Sequence, residues 1–167
     1  MKTIFTIGYE GTDINRFVST LLAVGIKAVA DVRAVPLSRK RGFSKNILRD
    51  RLAEAGILYL PMKALGDPKP GREAAKAGDY AAFRAIYSAH IDRPEVSATV
   101  AELAAEAQKM KVCLLCFERD PKTCHRTIVG ERMEPYGYSM THLYGDDPQR
   151  YIRNMHRQRG ASSQAAA

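Results

Sequence analysis

The sequence predicts a single α/β domain, a mostly parallel sheet of about five strands with helices on both faces. Three observations carry that prediction. Short apolar and β-branched runs alternate with stretches of helical periodicity along the 167 residues. Residues 112–117 are apolar without alternation, as a strand covered on both faces requires. Capping and stopping residues fall at the boundaries between these runs, Asp13 before one periodic stretch and Gly25 after it.

Residues 3–7 form a first strand that ends in Gly8-Tyr9-Glu10-Gly11. Asp13 caps a helix carrying Ile14, Phe17, Val18, Leu21 and Leu22 at helical spacing, and Gly25 stops it. Residues 26–32 are the second strand. Ser44 caps a second helix with Ile47, Leu48, Leu52 and Ala55 on one face and Gly56 as its stop. Residues 57–60 are a short third strand ended by Pro61. Residues 62–79 hold Gly66, Pro68, Pro70, Gly71 and Gly78 among charges, which describes a long loop of the kind that carries function. Two helices follow, over 79–91 with Tyr80, Phe83, Ile86 and Tyr87 inward and over 94–109 with Val96, Val100, Leu103, Ala104 and Ala107 inward. After the fourth strand, Asp120 and Pro121 read as N-cap and first residue of a helix over 121–133. A strand over 139–143 completes the alternation. The resulting architecture is a Rossmann-like or flavodoxin-like three-layer sandwich with right-handed crossovers. It spans residues 1–147, followed by a basic helix or extension at 148–159 and a disordered tail at 160–167.

Composition narrows the function classes. No apolar run approaches the roughly 20 residues that span a bilayer, so no membrane partner is expected. The first residues turn polar too early for a signal peptide. Three cysteines, Cys113, Cys116 and Cys124, fall close together and are odd in number, unlike a secreted disulfide framework, so a cytoplasmic protein is expected. The formal net charge of +8 favours an anionic small molecule, a nucleotide or nucleic acid as partner. Two basic stretches concentrate it. Arg39, Lys40, Arg41 and Lys45 form one; Arg150, Arg153, Arg157 and Arg159 form the other.

In a parallel sheet the loops after the strands share one rim. That rim gathers Tyr9 and Glu10, Asp31 and Arg33, the 62–79 segment, and the stretch from Cys116 to Arg126. Cys124 is the candidate nucleophile, because a helix start and Arg126 both favour its thiolate; the alternative is a packing cysteine. Glu118 is a candidate general base or orienting acid, or else an ion-pair partner of Arg126. Tyr9, Asp31, Arg33, His125 and Arg126 are candidate substrate or anion contacts, with free N–H groups at the 121–126 helix start. Cys113 and Cys116 lie three apart on a strand and point to opposite faces, which argues against a CxxC redox pair. Zinc on Cys116, Cys124 and His125, with Glu118 or His142 as fourth ligand, is the metal alternative, although the spacing is not that of a zinc finger. No cofactor is otherwise indicated. The first loop lacks GxGxxG, so a dinucleotide is not expected, and no Walker A motif or nucleophile elbow occurs. His142 reads as a core histidine.

TIGYEG at the start, DVRAVPLSR at 31–39, GFSK at 42–45, LG at 65–66 and LLCFERDPKTCHR at 114–126 occur in that order. Together they resemble the prokaryotic domain of unknown function 488 family over roughly residues 3–145. The residues matching its motifs are Tyr9, Asp31, Arg33, Pro36, Ser38, Cys116, Glu118, Cys124, His125 and Arg126. The resemblance implies a compact α/β domain of the bacterial or archaeal cytoplasm and supplies no reaction. Three functions compete: an enzyme acting on a nucleotide-derived or phosphorylated substrate, a nucleic-acid-binding module using Arg39, Lys40, Arg41, Lys45, Arg150, Arg153 and Arg157, and a cysteine-based redox or metal site.

Overall fold

In the computed structural model, which describes residues 1–165, five strands form one parallel sheet. They are β1 (Lys2–Gly8), β2 (Ala28–Asp31), β3 (Leu58–Pro61), β4 (Val112–Cys116) and β5 (Tyr138–Tyr144), in the order β3-β2-β4-β1-β5. The helices are α1 (Ile14–Val24), α2 (Lys45–Glu54), α3 (Lys69–Lys76), α4 (Tyr80–Ile91), α5 (Pro94–Lys109), α6 (Arg126–Glu131) and α7 (Pro148–Ala165). None of them is long and apolar enough to cross a membrane.

The strand order explains which helix covers which face. From β1 the chain steps toward the β3 edge through α1 and then α2. From β3 it returns through α3, α4 and α5 to β4, and continues through α6 to β5. Right-handed crossovers that travel in opposite directions place their helices on opposite faces. Accordingly Phe17 and Leu21 of α1 and Leu48 and Leu52 of α2 share one core, joined at its margin by Tyr151 of α7. Phe83 and Tyr87 of α4, Val100 and Leu103 of α5, and Ile128 and Val129 of α6 share the other. The pleat of β4 feeds both: Val112, Leu114 and Cys116 enter the second core, and Cys113 and Leu115 enter the first. Each such fully buried aliphatic or aromatic side chain contributes about 1.5–3 kcal/mol, which fixes the register of the central strands.

Asp13 caps α1 by accepting the Arg16 N–H, and Gly25 ends it in the left-handed region at φ 84°. Asp79 caps α4 through the Ala82 N–H. Ser44 occupies the N-cap position of α2, but its hydroxyl bonds Ser38 instead, closing the 38–44 segment on itself.

Four sequence expectations change. The 62–79 segment is not a loop: it holds a 3₁₀ turn at Lys63–Leu65 and the helix α3. Pro68 and Pro70 fall at its N-cap and first turn, where no intrahelical N–H is lost, so they start a helix and do not prevent one. The expected 121–133 helix is interrupted. Pro121–Thr123 is a single 3₁₀ turn, Cys124 is extended at φ −128° and ψ 143°, and α6 begins only at Arg126. Tyr80, expected inward, is exposed because the first residue of α4 lies beyond the edge of the core. At the other end, α7 runs past residue 159 to Ala165, into the stretch expected as a disordered tail at 160–167, of which residues 166 and 167 lie outside the described residues.

Candidate functional site

Where β1, β2 and β4 end, at Gly8, Asp31 and Cys116, a crevice of about 470 Å³ opens on the carboxyl rim of the sheet. Its walls come from segments far apart in sequence: Tyr9 and Glu10 after β1, Arg33 after β2, Asp67, Arg72 and Lys76 around α3, Tyr80 and Phe83 of α4, and Cys116, Glu118, Cys124 and His125 after β4. The expected convergence of Tyr9, Arg33, Glu118, Cys124 and His125 on one rim is therefore what the structure contains.

The backbone is shaped for that convergence. The strand end at Gly8 passes so close under the 118–119 peptide that a Cβ there would collide with the Glu118 carbonyl. Arg126 ties the same segment from the other side. Its side chain is fully buried; Nη1 donates to the Glu118 carbonyl, Nη2 to the Arg119 carbonyl at 3.1 Å, and Nε to Thr6 Oγ1 at 3.2 Å. The guanidinium thus braces the loop that carries Glu118, and the side chain does not line the crevice.

Asp31 and Arg33 form a second brace. Arg33 Nε and Nη2 each reach a carboxylate oxygen of Asp31 at 2.8 Å, a bidentate fork. Arg33 Nη1 donates to the Phe43 carbonyl at 2.7 Å and approaches Tyr9 Oη at 3.4 Å, while Tyr59 donates its hydroxyl to Asp31. Burial disfavours the Arg33 charge, but the hydrogen bonds and charge of Asp31 outweigh it and raise its pKa. The Tyr59 phenol is raised by burial first and by Asp31 second. The DVR motif therefore clamps the strand end to the 34–44 segment. Tyr9 lies parallel to Phe43 with centroids 4.5 Å apart, and Phe117 meets it edge-on at 5.3 Å.

Cys116 and Cys124 are joined by a disulfide across the crevice wall, their Cα atoms 7.3 Å apart. Glu118 Oε2 lies 3.2 Å from Cys116 Sγ, and Arg126 Nη1 lies 3.2 Å from the same sulfur. The Arg126 backbone N–H points at Cys124 Sγ at 3.5 Å. His125 Nδ1 is 3.8 Å from Cys124 Sγ, and its Nε2 is 2.6 Å from the Val32 carbonyl. Burial holds the imidazole neutral, its pKa pushed down to about 4. Burial likewise raises the Glu118 carboxyl. Cys113 is a free thiol deep in the opposite core, raised by burial, as its strand position predicts. Ligand atoms of Cys116, Cys124 and His125 all lie within 4.8 Å of one another. His142 is bonded to Thr6 at 2.6 Å on the edge strand, so of the two candidates for a fourth ligand it is Glu118 that touches a site cysteine.

Sequence reading missed Asp67, Arg72 and Lys76. Asp67 is only 5% exposed, and its Oδ1 has no hydrogen-bond partner among the described residues. Burial pushes its pKa up to about 7, with Arg72 opposing and Glu118 reinforcing the shift. Gly71 makes room for it, since a Cβ at that position would overlap Asp67 Oδ1. Arg72 donates to the Asp67 carbonyl at 3.0 Å. The available signal was the GDPKPGR run, which marks a helix start once its prolines are read as first-turn residues.

The basic stretches do other things. Lys40 Nζ bonds the Thr12 carbonyl at 2.6 Å and the Tyr9 carbonyl at 3.1 Å, pinning the loop after β1. Arg39, Arg41 and Lys45 are exposed. Arg150, Arg153 and Arg157 of α7, with Asn154, line a separate shallow depression.

Fold and site together define an open parallel α/β protein whose strand ends carry a crevice lined by the Cys116–Cys124 disulfide. The chain matches the family model Domain of unknown function DUF488 over residues 13–133, more than half its length, and it belongs to that family. No match was found among curated proteins or among solved structures.

Proposed function

We propose that this crevice is the reaction site of a thiol-dependent enzyme acting on a small anionic, nucleotide-derived substrate. The observation that carries the reading is the contact of Cys124 Sγ with His125 Nδ1 on the wall of the crevice, beside Glu118. A thiol, a neutral imidazole nitrogen and a buried carboxyl are the parts of a nucleophilic displacement. In the reduced protein the Cys124 thiol hydrogen-bonds to His125 Nδ1, which takes its proton only as the sulfur bonds to the electrophilic centre of the substrate, because burial keeps the imidazole from carrying charge beforehand. The leaving group departs with the bonding electron pair and takes a proton from the Glu118 or Asp67 carboxyl. The disulfide withholds the thiol until a thiol reductant supplies two electrons and two protons.

The walls support the substrate class. Arg33 and Arg126 are committed to protein partners, whereas Arg72 and Lys76 line the crevice without an ion pair among the described residues, so they are the cations for a phosphate. Phe117 and Tyr80 are 44% and 46% exposed on the same crevice, so both rings are open to a stacking partner. Base stacking on such rings contributes about 1–3 kcal/mol.

Calorimetric titration with adenosine monophosphate tests the substrate class. Binding is expected in the wild type and is expected to weaken about tenfold in an Arg72→Ala/Lys76→Ala double variant, a loss of about 1.4 kcal/mol. Absence of binding, or equal binding by the double variant, would overturn this reading.

A further inference from the structure

We infer that the reduced protein binds a zinc-like divalent ion on Cys116 Sγ, Cys124 Sγ and His125 Nδ1, with the Glu118 carboxylate, which touches Cys116 but lies outside that cluster of three, swinging in as the fourth ligand. The inference rests on donor placement. Tetrahedral zinc has Zn–S bonds of about 2.3 Å and Zn–N or Zn–O bonds of about 2.0–2.2 Å, so its sulfur stands about 3.5 Å from a nitrogen or oxygen ligand. Here Cys124 Sγ is 3.8 Å from His125 Nδ1, and Cys116 Sγ is 3.2 Å from Glu118 Oε2. Two of the six edges of the tetrahedron are thus near their required length while the sulfurs are still bonded to each other. The sulfur–sulfur edge is occupied by that bond. The two backbones stand 7.3 Å apart at Cα, outside the roughly 4.4–6.8 Å usual for a disulfide, so cleaving the bond leaves room for an ion between the sulfurs.

The surroundings are those of a metal site. A ligating histidine almost always donates its second ring nitrogen to a carbonyl or carboxylate, which fixes the ring and its tautomer. His125 does this with Val32 at 2.6 Å. Thiolates bound to metal are stabilised by N–H donors, and each sulfur has one: Arg126 Nη1 at Cys116 and the Arg126 backbone N–H at Cys124. The ligands come from the end of β4, the braced 118 segment and the extended residue before α6, so the set is held by three different constraints.

Chemical balance is simple. A thiol reductant delivers two electrons and two protons to the disulfide, giving two thiols. Zinc then displaces both protons and binds two thiolates, the imidazole and the carboxylate. A bound ion occupies the sulfur that the proposed reaction needs, so zinc and substrate chemistry exclude one another at Cys124.

Cobalt(II) titration of the reduced, desalted protein under anaerobic conditions tests the site independently of any substrate. The expected result is a thiolate-to-cobalt charge-transfer band with intense tetrahedral visible bands, saturating at one ion per chain and bleached by zinc. Cys113→Ser should keep the bands as a folded control. Cys116→Ser and Cys124→Ser should lose charge-transfer intensity, and His125→Gln, which removes a ligand, should weaken affinity by more than the roughly 10–100-fold that loss of a ligand's hydrogen-bond partner costs. Weak octahedral spectra, bands retained in Cys124→Ser, or equal binding by the oxidised protein would each overturn the inference. Adenosine monophosphate binding is measured without metal, so either proposal can fail while the other stands.

Discussion

His125 Nε2 lies 2.6 Å from the carbonyl oxygen of Val32, and that contact decides which face of the imidazole meets Cys124. A carbonyl only accepts, so Nε2 carries the proton and Nδ1 turns a lone pair toward the sulfur. The ring is also buried against Tyr87, with centroids 5.1 Å apart, and is held neutral.

Stability should register that neutrality. The folded imidazole titrates near 4 and the unfolded one near 6.5, so the unfolded state binds more protons between those values. The contribution is intact above about pH 6.5 and is lost as pH falls toward 4. His125→Gln retains a donor for Val32 but cannot charge. Its melting temperature, compared with the wild type from pH 7 to pH 4, should therefore fall less steeply.

Asp67 acts in the opposite direction over the same range. Its folded pKa near 7 lies above the unfolded value of 3.8, so the folded state binds the extra proton and stability declines as pH rises from 4 to 7. Asp67→Asn should gain on the wild type across that window, by on the order of 1–3 kcal/mol at pH 8. Denaturant midpoints at pH 5 and pH 8 measure it; a difference independent of pH would place the ionisation elsewhere.

Asp31→Asn should be the most damaging change on the rim. It leaves the buried Arg33 guanidinium without its bidentate partner and removes an acceptor from Tyr59. Breaking one side of a buried pair costs about 3–5 kcal/mol, measurable as a lower urea midpoint with an unchanged slope.

Most of the fold is legible in the sequence because its elements obey local rules. The unalternating apolar run ending at Cys116 can only be a central strand, and Asp13 and Gly25 bound α1 by capping chemistry. The strand order follows from long-range packing that no local pattern records. α3 is hidden because proline and glycine have the same composition at a helix start as in a loop. The rim position of Arg33, Glu118 and Cys124 follows from the parallel topology, but the partners of each guanidinium do not. Arg126 is taken up by carbonyls at 118 and 119, and such contacts depend on a loop path that residue types do not specify. The pairing of Cys116 with Cys124 escapes for a related reason: strand periodicity sets the face of Cys116, while Cys124 is aimed by a 3₁₀ turn and an extended residue that interrupt the expected helix.

The reactivity of Cys124 tests the account most directly. In the reduced, metal-free protein at neutral pH, iodoacetamide labelling followed by peptide mass mapping gives separate rates for Cys124 and for Cys113, the internal control. Cys124 should label far faster than Cys113, and His125→Gln should slow Cys124 by about a hundredfold or more, the range general-base assistance supplies, while leaving Cys113 unchanged. Labelling of Cys124 only when the protein unfolds, or an equal rate in His125→Gln, would contradict the account.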